Sequence, residues 1–318
     1  MDIQFRYPTG ARPLLIKETA RRRRVEGRFV ETLEEAGFAE VVLPIIDFAE
    51  PYAGVTSRGA AKGSYRFVDR EGELVAIRSD FTPMVARALS STLSPAALPL
   101  RVFYRGDVIR CEATRLGTNR ELFQIGGEII GDRSVRADVE VLQLVARIVR
   151  AFGIEPLVVY NDLSIVDGFD DDVRDALRTK RMRDDLPPLA RQLIAGTATL
   201  ADVRAFDPAA AERLEALARA LDDDAFVLHL DDLDEPAGYY TGLRFRVYGT
   251  DRRTKIAAGG RYDALYEQFG PKAAAVGFTF TIDDVSSQLA GISSQGSALP
   301  DSSVETRNLA TTALRAES

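Results

Sequence analysis

Two segments in the middle of the chain, residues 100–110 and 121–131, carry apolar side chains in the pattern of strands. The repeated residues are Val102, Tyr104, Val108 and Ile109 before a polar loop, and Phe123, Ile125, Ile129 and Ile130 after it. β-Branched and aromatic residues in short runs are typical of strands. The pattern therefore predicts two antiparallel strands joined by a long turn.

Helical spacing of apolar residues appears on both sides of this hairpin. It predicts an amphipathic helix over 17–36 that ends at Gly37, and a largely buried helix over 134–152 that ends at Gly153. Residues 170–222 are rich in Ala, Leu, Arg and Asp and are interrupted by prolines, which predicts several short helices inserted between strands.

The remaining apolar runs are short. They predict a buried strand over 38–48 with Pro44 at an edge or subunit contact, a hairpin over 65–78, and further strands at 157–160, 226–230, 239–248, 255–258 and 273–282. Strands joined as hairpins, with helices outside them, predict an α+β fold built on a mainly antiparallel sheet flanked by helices.

Length and composition predict an ordinary soluble protein. It has 318 residues, of which 46% are hydrophobic and 28% charged. No apolar run could cross a bilayer and no secretory leader precedes the first helix, so we expect a cytoplasmic protein with no membrane contact. We expect one core over 1–285, with the helical insertion at about 170–222, and a disordered polar tail over 286–318.

Metal binding and nucleophilic catalysis are disfavoured by the residue counts. One cysteine, Cys111, and one histidine, His229, cannot form a Cys/His metal cluster, and His229 lies in a strand-like run. The net charge of −7 opposes binding to a phosphate backbone. We therefore predict no metal, no cofactor and no nucleic-acid partner, and a self-paired solvated face for the run Arg21–Arg24.

The central hairpin carries the candidate chemistry. Arg110 and Glu112 are two residues apart on the first strand, and Gln124 and Glu128 are four apart on the second, so each pair shares a face. One cation, two carboxylates and an amide suit a zwitterionic amino acid. The equally weighted alternative is an exposed, salt-bridged sheet face.

A second candidate pair lies just before a predicted helix. Asp80 and Thr82 precede Pro83, which is favoured in the first turn of a helix. Either side chain can therefore cap the helix or contact a ligand, and the sequence favours neither interpretation.

Four segments, in order, resemble the class II aminoacyl-tRNA synthetase core, specifically that of histidyl-tRNA synthetase. They are Arg78-Ser-Asp-Phe-Thr82, Arg110-Cys-Glu112 with Phe123-Gln-Ile-Gly-Gly-Glu128, Tyr239-Tyr-Thr241, and Ala257-Ala-Gly-Gly-Arg-Tyr-Asp263. The resemblance covers roughly residues 8–285 and implies that family's fold.

Two departures from the synthetase pattern bear on activity. The family places an arginine four residues before its tyrosine pair, where this chain has Glu235. It places a second arginine after its last Gly-Phe with five residues between them, where this chain has Asp284. The resemblance implies that these arginines assist adenylate formation and hold ATP. We therefore expect no histidine activation, and we expect no anticodon-binding domain after residue 285.

A synthetase core that keeps the amino-acid pocket and loses activation resembles the regulatory subunits of ATP phosphoribosyltransferase. The resemblance implies feedback control of the first step of histidine biosynthesis, with histidine as effector. It also implies self-association as a dimer and assembly with a short-form catalytic subunit, as a hetero-octamer. The alternatives are an active histidyl-tRNA synthetase and a free-standing RNA-binding module.

The same resemblance assigns roles within the pocket. It gives Asp80, Thr82 and Gln124 to the ligand ammonium and Arg110 to its carboxylate. It gives Glu128 and Tyr240 to the imidazole, with Tyr239 lining the pocket.

Overall fold

The fold is seen in a computed structural model that describes residues 7–53, 55, 63–111, 119–233, 239–270 and 272–294. The helices are α1 Ile16–Glu35, α2 Thr82–Ser90, α3 Val135–Ala151, α4 Asp171–Arg178, α5 Pro188–Ala195, α6 Leu200–Phe206, α7 Pro208–Ala220 and α8 Ile282–Ser294. The strands are β1 Ala39–Glu40, β2 Ile46–Phe48, β3 Arg66–Val68, β4 Leu74–Ile77, β5 Leu100–Ile109, β6 Glu121–Ile130, β7 Leu157–Asp162, β8 Phe226–Leu228, β9 Leu243–Tyr248, β10 Lys255–Arg261 and β11 Ala275–Thr281.

Within the described residues, one large sheet of eight strands organises the molecule. Its order is β1-β5-β6-β11-β10-β9-β7-β8, and every pair is antiparallel except the two edge pairs, β1 with β5 and β7 with β8. The predicted α+β fold with a mainly antiparallel sheet is confirmed, as is the central hairpin, which β5 and β6 form from Leu100↔Ile130 to Ile109↔Glu121.

The two faces of β6 have different environments because its side chains alternate. Phe123, Ile125 and Ile129 pack into the main core with side chains of α1, α3 and α8. Gln124 and Glu128 point to the opposite face, where both are buried. The helices thus close one side of the sheet and leave the other side for a site.

Both long helices follow the predicted pattern closely. α1 ends before Gly37, which has φ +81°, and buries Val25, Phe29 and Leu33. α3 begins after Ser134, whose hydroxyl accepts the Ala137 N–H as an N-cap. In the predicted Arg21–Arg24 face, Arg23 pairs with Glu26 of the same helix, whereas Arg22 pairs with Asp107 of β5.

The single buried strand predicted over 38–48 is wrong. β1 joins the large sheet, whereas β2 belongs to a separate sheet of order β2-β4-β3, and Pro44 lies between them. Several apolar side chains of this segment face outward, with Val42 89% and Ile45 57% exposed. An apolar run predicts a buried strand, but part of this run lies exposed on the surface. The predicted hairpin over 65–78 is present as β3 and β4.

The predicted helical insertion contains α4 to α7, which lie between β7 and β8 and surround their own apolar cluster. The predicted boundary at residue 286 is not a structural break, because α8 continues to Ser294. Residues 295–318 of the predicted tail lie outside the described residues. None of the described helices is long and apolar enough to cross a membrane.

Candidate functional site

A cavity of about 1330 Å³ opens on the face of the sheet that carries Gln124 and Glu128. Its lining includes all seven residues that the resemblance assigns to histidine: Asp80, Thr82, Arg110, Gln124, Glu128, Tyr239 and Tyr240. These come from the β4–α2 connection, the first residue of α2, the residue after β5, the strand β6 and the segment before β9. We call this part of the cavity the amino-acid end.

Glu128 is the most deeply buried carboxyl group of the amino-acid end, with 1% of its surface exposed. Its Oε1 accepts hydrogen bonds from Thr82 Oγ1 at 3.0 Å and Tyr104 Oη at 3.1 Å, and its Oε2 accepts one from Tyr262 Oη at 2.5 Å. Burial raises the pKa of Glu128 to about 8, although the three hydroxyl donors act to lower it. The alternative of an exposed, salt-bridged sheet face is therefore wrong for Glu128.

Asp80 is the second carboxyl group at this end. Its Oδ2 accepts from Tyr239 Oη at 3.1 Å, and its Oδ1 accepts a long bond from the Thr82 N–H at 3.4 Å. Burial raises the pKa of Asp80, while the nearby Arg110 acts to lower it. The Asp80 contact is a weak form of the capping interaction, whereas the Thr82 hydroxyl does not cap α2 and donates to Glu128 instead.

Two groups of the amino-acid end lack partners among the residues that the structure describes. Among the described residues, no carboxylate lies within 4.0 Å of the Arg110 guanidinium, so this cation can receive a ligand carboxylate. Gln124 is 5% exposed, and its buried Oε1 has no hydrogen-bond partner. A buried acceptor without a donor is costly, and a ligand ammonium would satisfy it.

Gly277 explains how Glu128 fits into a closely packed sheet. Gly277 of β11 lies directly opposite Glu128 of β6 in the register, and any Cβ there would overlap Glu128 Oε2. A side chain at this position would therefore displace the carboxyl group. Glycine at position 277 therefore leaves the space that the Glu128 carboxyl group of the neighbouring strand occupies.

The other part of the cavity carries charges of both signs, and we call it the charged end. It is formed by Arg244 and Arg246 of β9, Lys255 of β10, Asp284 of α8, and the helix α4. Arg244 and Arg246 both pair with Asp232, at 2.6 and 3.0 Å. Burial and the neighbouring arginines lower the pKa of Lys255, and burial raises that of Asp284.

Several cavity residues were not predicted. Tyr104 and Tyr262 contact Glu128. Tyr104 has the sequence signal of an ordinary strand residue, and Tyr262 lies in the segment 257–263 that resembles the family, but no role was assigned to it. Arg244 and Arg246 alternate on β9, and this spacing could have shown that they share a face. The helix α4 belongs to the insertion, where the sequence shows no chemical motif. Glu112 and Glu235 lie outside the described residues.

Comparisons with known proteins agree with this geometry. The family model described as histidyl-tRNA synthetase matches residues 10–230 and 178–285. An ATP phosphoribosyltransferase regulatory subunit from Geobacter metallireducens is 30% identical over 88% of this chain and 73% of the relative. The chain belongs to the histidyl-tRNA synthetase-like family that includes these regulatory subunits.

Other members of the family give a wider range of names. A histidine–tRNA ligase from Methanocaldococcus jannaschii is 28% identical over 90% of this chain and 76% of the relative. A solved structure from Bacillus halodurans C, titled as an ATP phosphoribosyltransferase regulatory subunit/histidyl-tRNA synthetase, has a TM-score of 0.78 at 24% identity and covers 91% of this chain and 84% of its own. At that identity the likeness shows the fold, which is the predicted class II synthetase core.

Metal binding depends on the ligands that the side chains offer, and the family match does not change this. Among the described residues, no group of three or more His, Cys, Asp or Glu side chains could hold a metal ion. Within the described residues, the amino-acid end instead offers the Arg110 guanidinium without an ion-pair partner, the buried Glu128 and half-buried Asp80 carboxyl groups, and an unmatched amide oxygen. This set can hold a small zwitterion with an additional ring N–H donor.

Proposed function

We propose that this chain is the regulatory subunit of an ATP phosphoribosyltransferase and that it senses histidine in the amino-acid end of the cavity. In this role it is needed for the first step of histidine biosynthesis and for its feedback inhibition, and it has no catalysis of its own. The observation that carries the proposal is the convergence of Arg110, Gln124 and Glu128 on one cavity of about 1330 Å³.

Each part of histidine has a chemically matched partner. The Arg110 guanidinium, which has no ion-pair partner among the described residues, suits the ligand carboxylate. Asp80, Thr82 and Gln124 Oε1 suit the ammonium. Glu128 and Tyr240 suit the imidazole, and Tyr239 holds Asp80 in place. Because Glu235 replaces a family arginine, the ligand carboxylate has one cation fewer, and binding should be weaker than in a synthetase. Feedback needs only about 1–3 kcal/mol of coupling between sites.

The lack of histidine activation is supported by Asp284, which lines the same cavity. The family carries an arginine at this count after Gly277-Phe278, and losing one transition-state donor costs about 3–4 kcal/mol. The charged end also contains Arg244, Arg246 and Lys255, so the cavity is not uniformly acidic. Adenylate formation is therefore opposed by the negative charge of Asp284, together with Glu235.

Self-association is supported by an apolar surface on the small sheet and the segment before it. Its side chains are 41–89% exposed: Val42 89%, Ile45 57%, Ile46 49%, Phe48 48%, Phe67 41%, Val68 65% and Leu74 50%. By strand alternation, Phe48 and Phe67 lie on one face of the small sheet and Val68 and Leu74 on the other. Large exposed apolar areas mark protein–protein contacts more often than free surface. We propose that this surface packs against a second copy of the chain. The short-form catalytic subunit then completes a hetero-octamer. Val68→Lys should shift the sedimentation profile toward monomer, and an unchanged profile would exclude this surface.

Calorimetry with histidine tests the pocket directly. Glu128→Gln keeps the shape and removes a charged acceptor, so histidine should bind roughly tenfold or more weakly, since a hydrogen bond to a charged group is worth about 1.5–3 kcal/mol. Glu121→Gln is the matched control, because Glu121 is exposed on the same strand and lies outside the cavity lining. Equal affinity for wild type and Glu128→Gln would show that the imidazole contact is misplaced.

Activity assays separate the alternatives. With a short-form catalytic subunit, the chain should confer phosphoribosyl transfer that histidine inhibits. Histidine-dependent pyrophosphate exchange by the pure chain would instead establish an active synthetase. A gel shift of tRNA at physiological salt, without co-purification of the transferase, would establish an RNA-binding module.

A further inference from the structure

The surroundings of Glu128 leave room for one more hydrogen bond. An ionised carboxylate offers about four acceptor positions, and three of them are filled by Thr82, Tyr104 and Tyr262. No described cation lies within ion-pair distance of this carboxyl group, and its carboxylate faces the cavity beside Asp80. The position that remains is on Oε2.

The charged and titratable groups around Glu128 come from every element packed against it. Asp80 lies on the β4–α2 connection and Tyr104 on β5; Tyr239 precedes β9, and Tyr262 and Tyr266 follow β10. The nearest cation in this group, Arg110, acts on Asp80. Four neutral phenols and a second carboxyl group therefore surround Glu128. In such a setting a buried carboxyl group retains a proton, which agrees with its pKa of about 8.

Tyr104 and Thr279 give that proton a place in the network. Tyr104 Oη lies 3.1 Å from Glu128 Oε1 and 2.8 Å from Thr279 Oγ1, and either hydroxyl of the second pair can donate. When Glu128 is ionised, Tyr104 donates to it. When Glu128 is protonated, it can donate to Tyr104, whose own proton turns to Thr279. Both states are satisfied without moving a heavy atom.

We propose that binding of histidine expels the proton that Glu128 shares with Tyr104 and Thr279 in the empty pocket. This rests on the proposed function, since it requires histidine at this site. The ring N–H takes the free position on Oε2, and the ligand ammonium adds a positive charge beside Asp80 and Glu128. Both effects favour the ionised carboxylate, so the proton passes to solvent and histidine binding becomes tighter as pH rises toward 8. Tyr104 and Thr279 are positioning residues that act through Glu128.

Calorimetry in buffers of different ionisation enthalpy counts the released protons. For a group with pKa about 8, wild type should release about nine tenths of a proton per histidine at pH 7 and about one half at pH 8. Over the same interval the affinity should rise about fivefold. Free histidine is largely neutral at its ring above pH 7. Glu128→Gln measures the protons contributed by the ligand and by other groups.

Thr279→Val supplies the second variant. It removes the alternative acceptor for Tyr104 and keeps the side-chain shape, so the protonated state of Glu128 should lose a partner and the proton release at pH 7 should fall. Equal proton counts for wild type and Glu128→Gln would overturn the proposal while leaving histidine sensing intact. Absence of any histidine binding to wild type would overturn the proposed function and this inference with it.

Discussion

The two ends of the cavity satisfy their buried and half-buried groups in different ways. At the amino-acid end, Glu128 accepts from three hydroxyls, and Asp80 accepts from Tyr239. At the charged end, charges pair with charges, as Arg244 and Arg246 do with Asp232. The network at the amino-acid end consists of uncharged hydroxyl donors around a buried carboxyl group. The ion pairs of α4, in contrast, are largely exposed.

This difference is consistent with the proposed loss of activation beside a retained amino-acid pocket. The amino-acid end is built on β6, α2 and the segment before β9, and the charged end on β9, β10, α4 and α8. A change of sign on α8 therefore leaves the carboxyl group of β6 and its donors in place. Stripping nucleotide activation from such a fold does not require rebuilding the amino-acid pocket.

The largest expected effect comes from Gly277→Ala at the amino-acid end. The new Cβ would overlap Glu128 Oε2 and crowd the backbone of Gly127. We expect histidine binding to be lost and the free energy of unfolding to fall by about 1–3 kcal/mol. Calorimetry and thermal unfolding measure the two effects.

Gly27→Ala is the matched control for this substitution. A Cβ at Gly27 meets nothing within 4 Å, and the residue lies inside α1. It should stabilise the helix by about 0.5–1 kcal/mol and leave binding unchanged. Wild-type histidine affinity in Gly277→Ala would contradict the view that Glu128 must occupy its observed position.

At the charged end, Asp284→Arg tests whether the sign of one side chain excludes ATP. Asp284 is partly exposed, so solvent screening reduces the change, and we expect ATP to bind about tenfold more tightly, or ~1–2 kcal/mol. Titration of the variant with ATP measures this gain. Asp283→Arg controls for added charge on α8 away from the cavity lining. Unchanged ATP affinity in Asp284→Arg would remove the main support for the loss of activation.

The amino-acid end could be predicted from the sequence to the extent that it follows strand alternation. Gln124 and Glu128 had to share a face of β6, and the structure places both in the cavity. The contacts of Tyr104 and Tyr262 with Glu128 could not be predicted, because they depend on the order and register of strands across the whole sheet. The same limit applies to α4, which reaches the cavity through tertiary packing alone.

The fold was predictable where the hydrophobic period was long or turns were clear, as in α1, α3 and the central hairpin. The prediction failed over 38–48, because hydrophobicity predicts burial and cannot distinguish burial in a core from exposure at a surface that another chain could cover. Val42 and Ile45 are apolar but exposed, and the proposed self-association would bury them.

A smaller effect is expected from the pH dependence of stability. Burial raises the pKa of Glu128 from 4.5 to about 8 in the folded chain. Its contribution to stability is therefore fully present below pH 4.5 and is lost as pH rises to about 8. Without histidine, the melting temperature should fall by a few degrees more in wild type than in Glu128→Gln between pH 5 and 8. Parallel curves for the two proteins would show that the carboxyl group is already ionised.

The smallest effect is expected from Arg174→Ala on α4. Arg174 lines the cavity but pairs with Asp171 on the same helix, and the two side chains are 43% and 95% exposed. Such surface pairs, three residues apart on a helix, are worth about 0.2–0.5 kcal/mol. Histidine affinity should therefore stay within about twofold of wild type by calorimetry. A larger loss would mean that α4 acts on the amino-acid end, and the two ends of the cavity would have to be treated as one site.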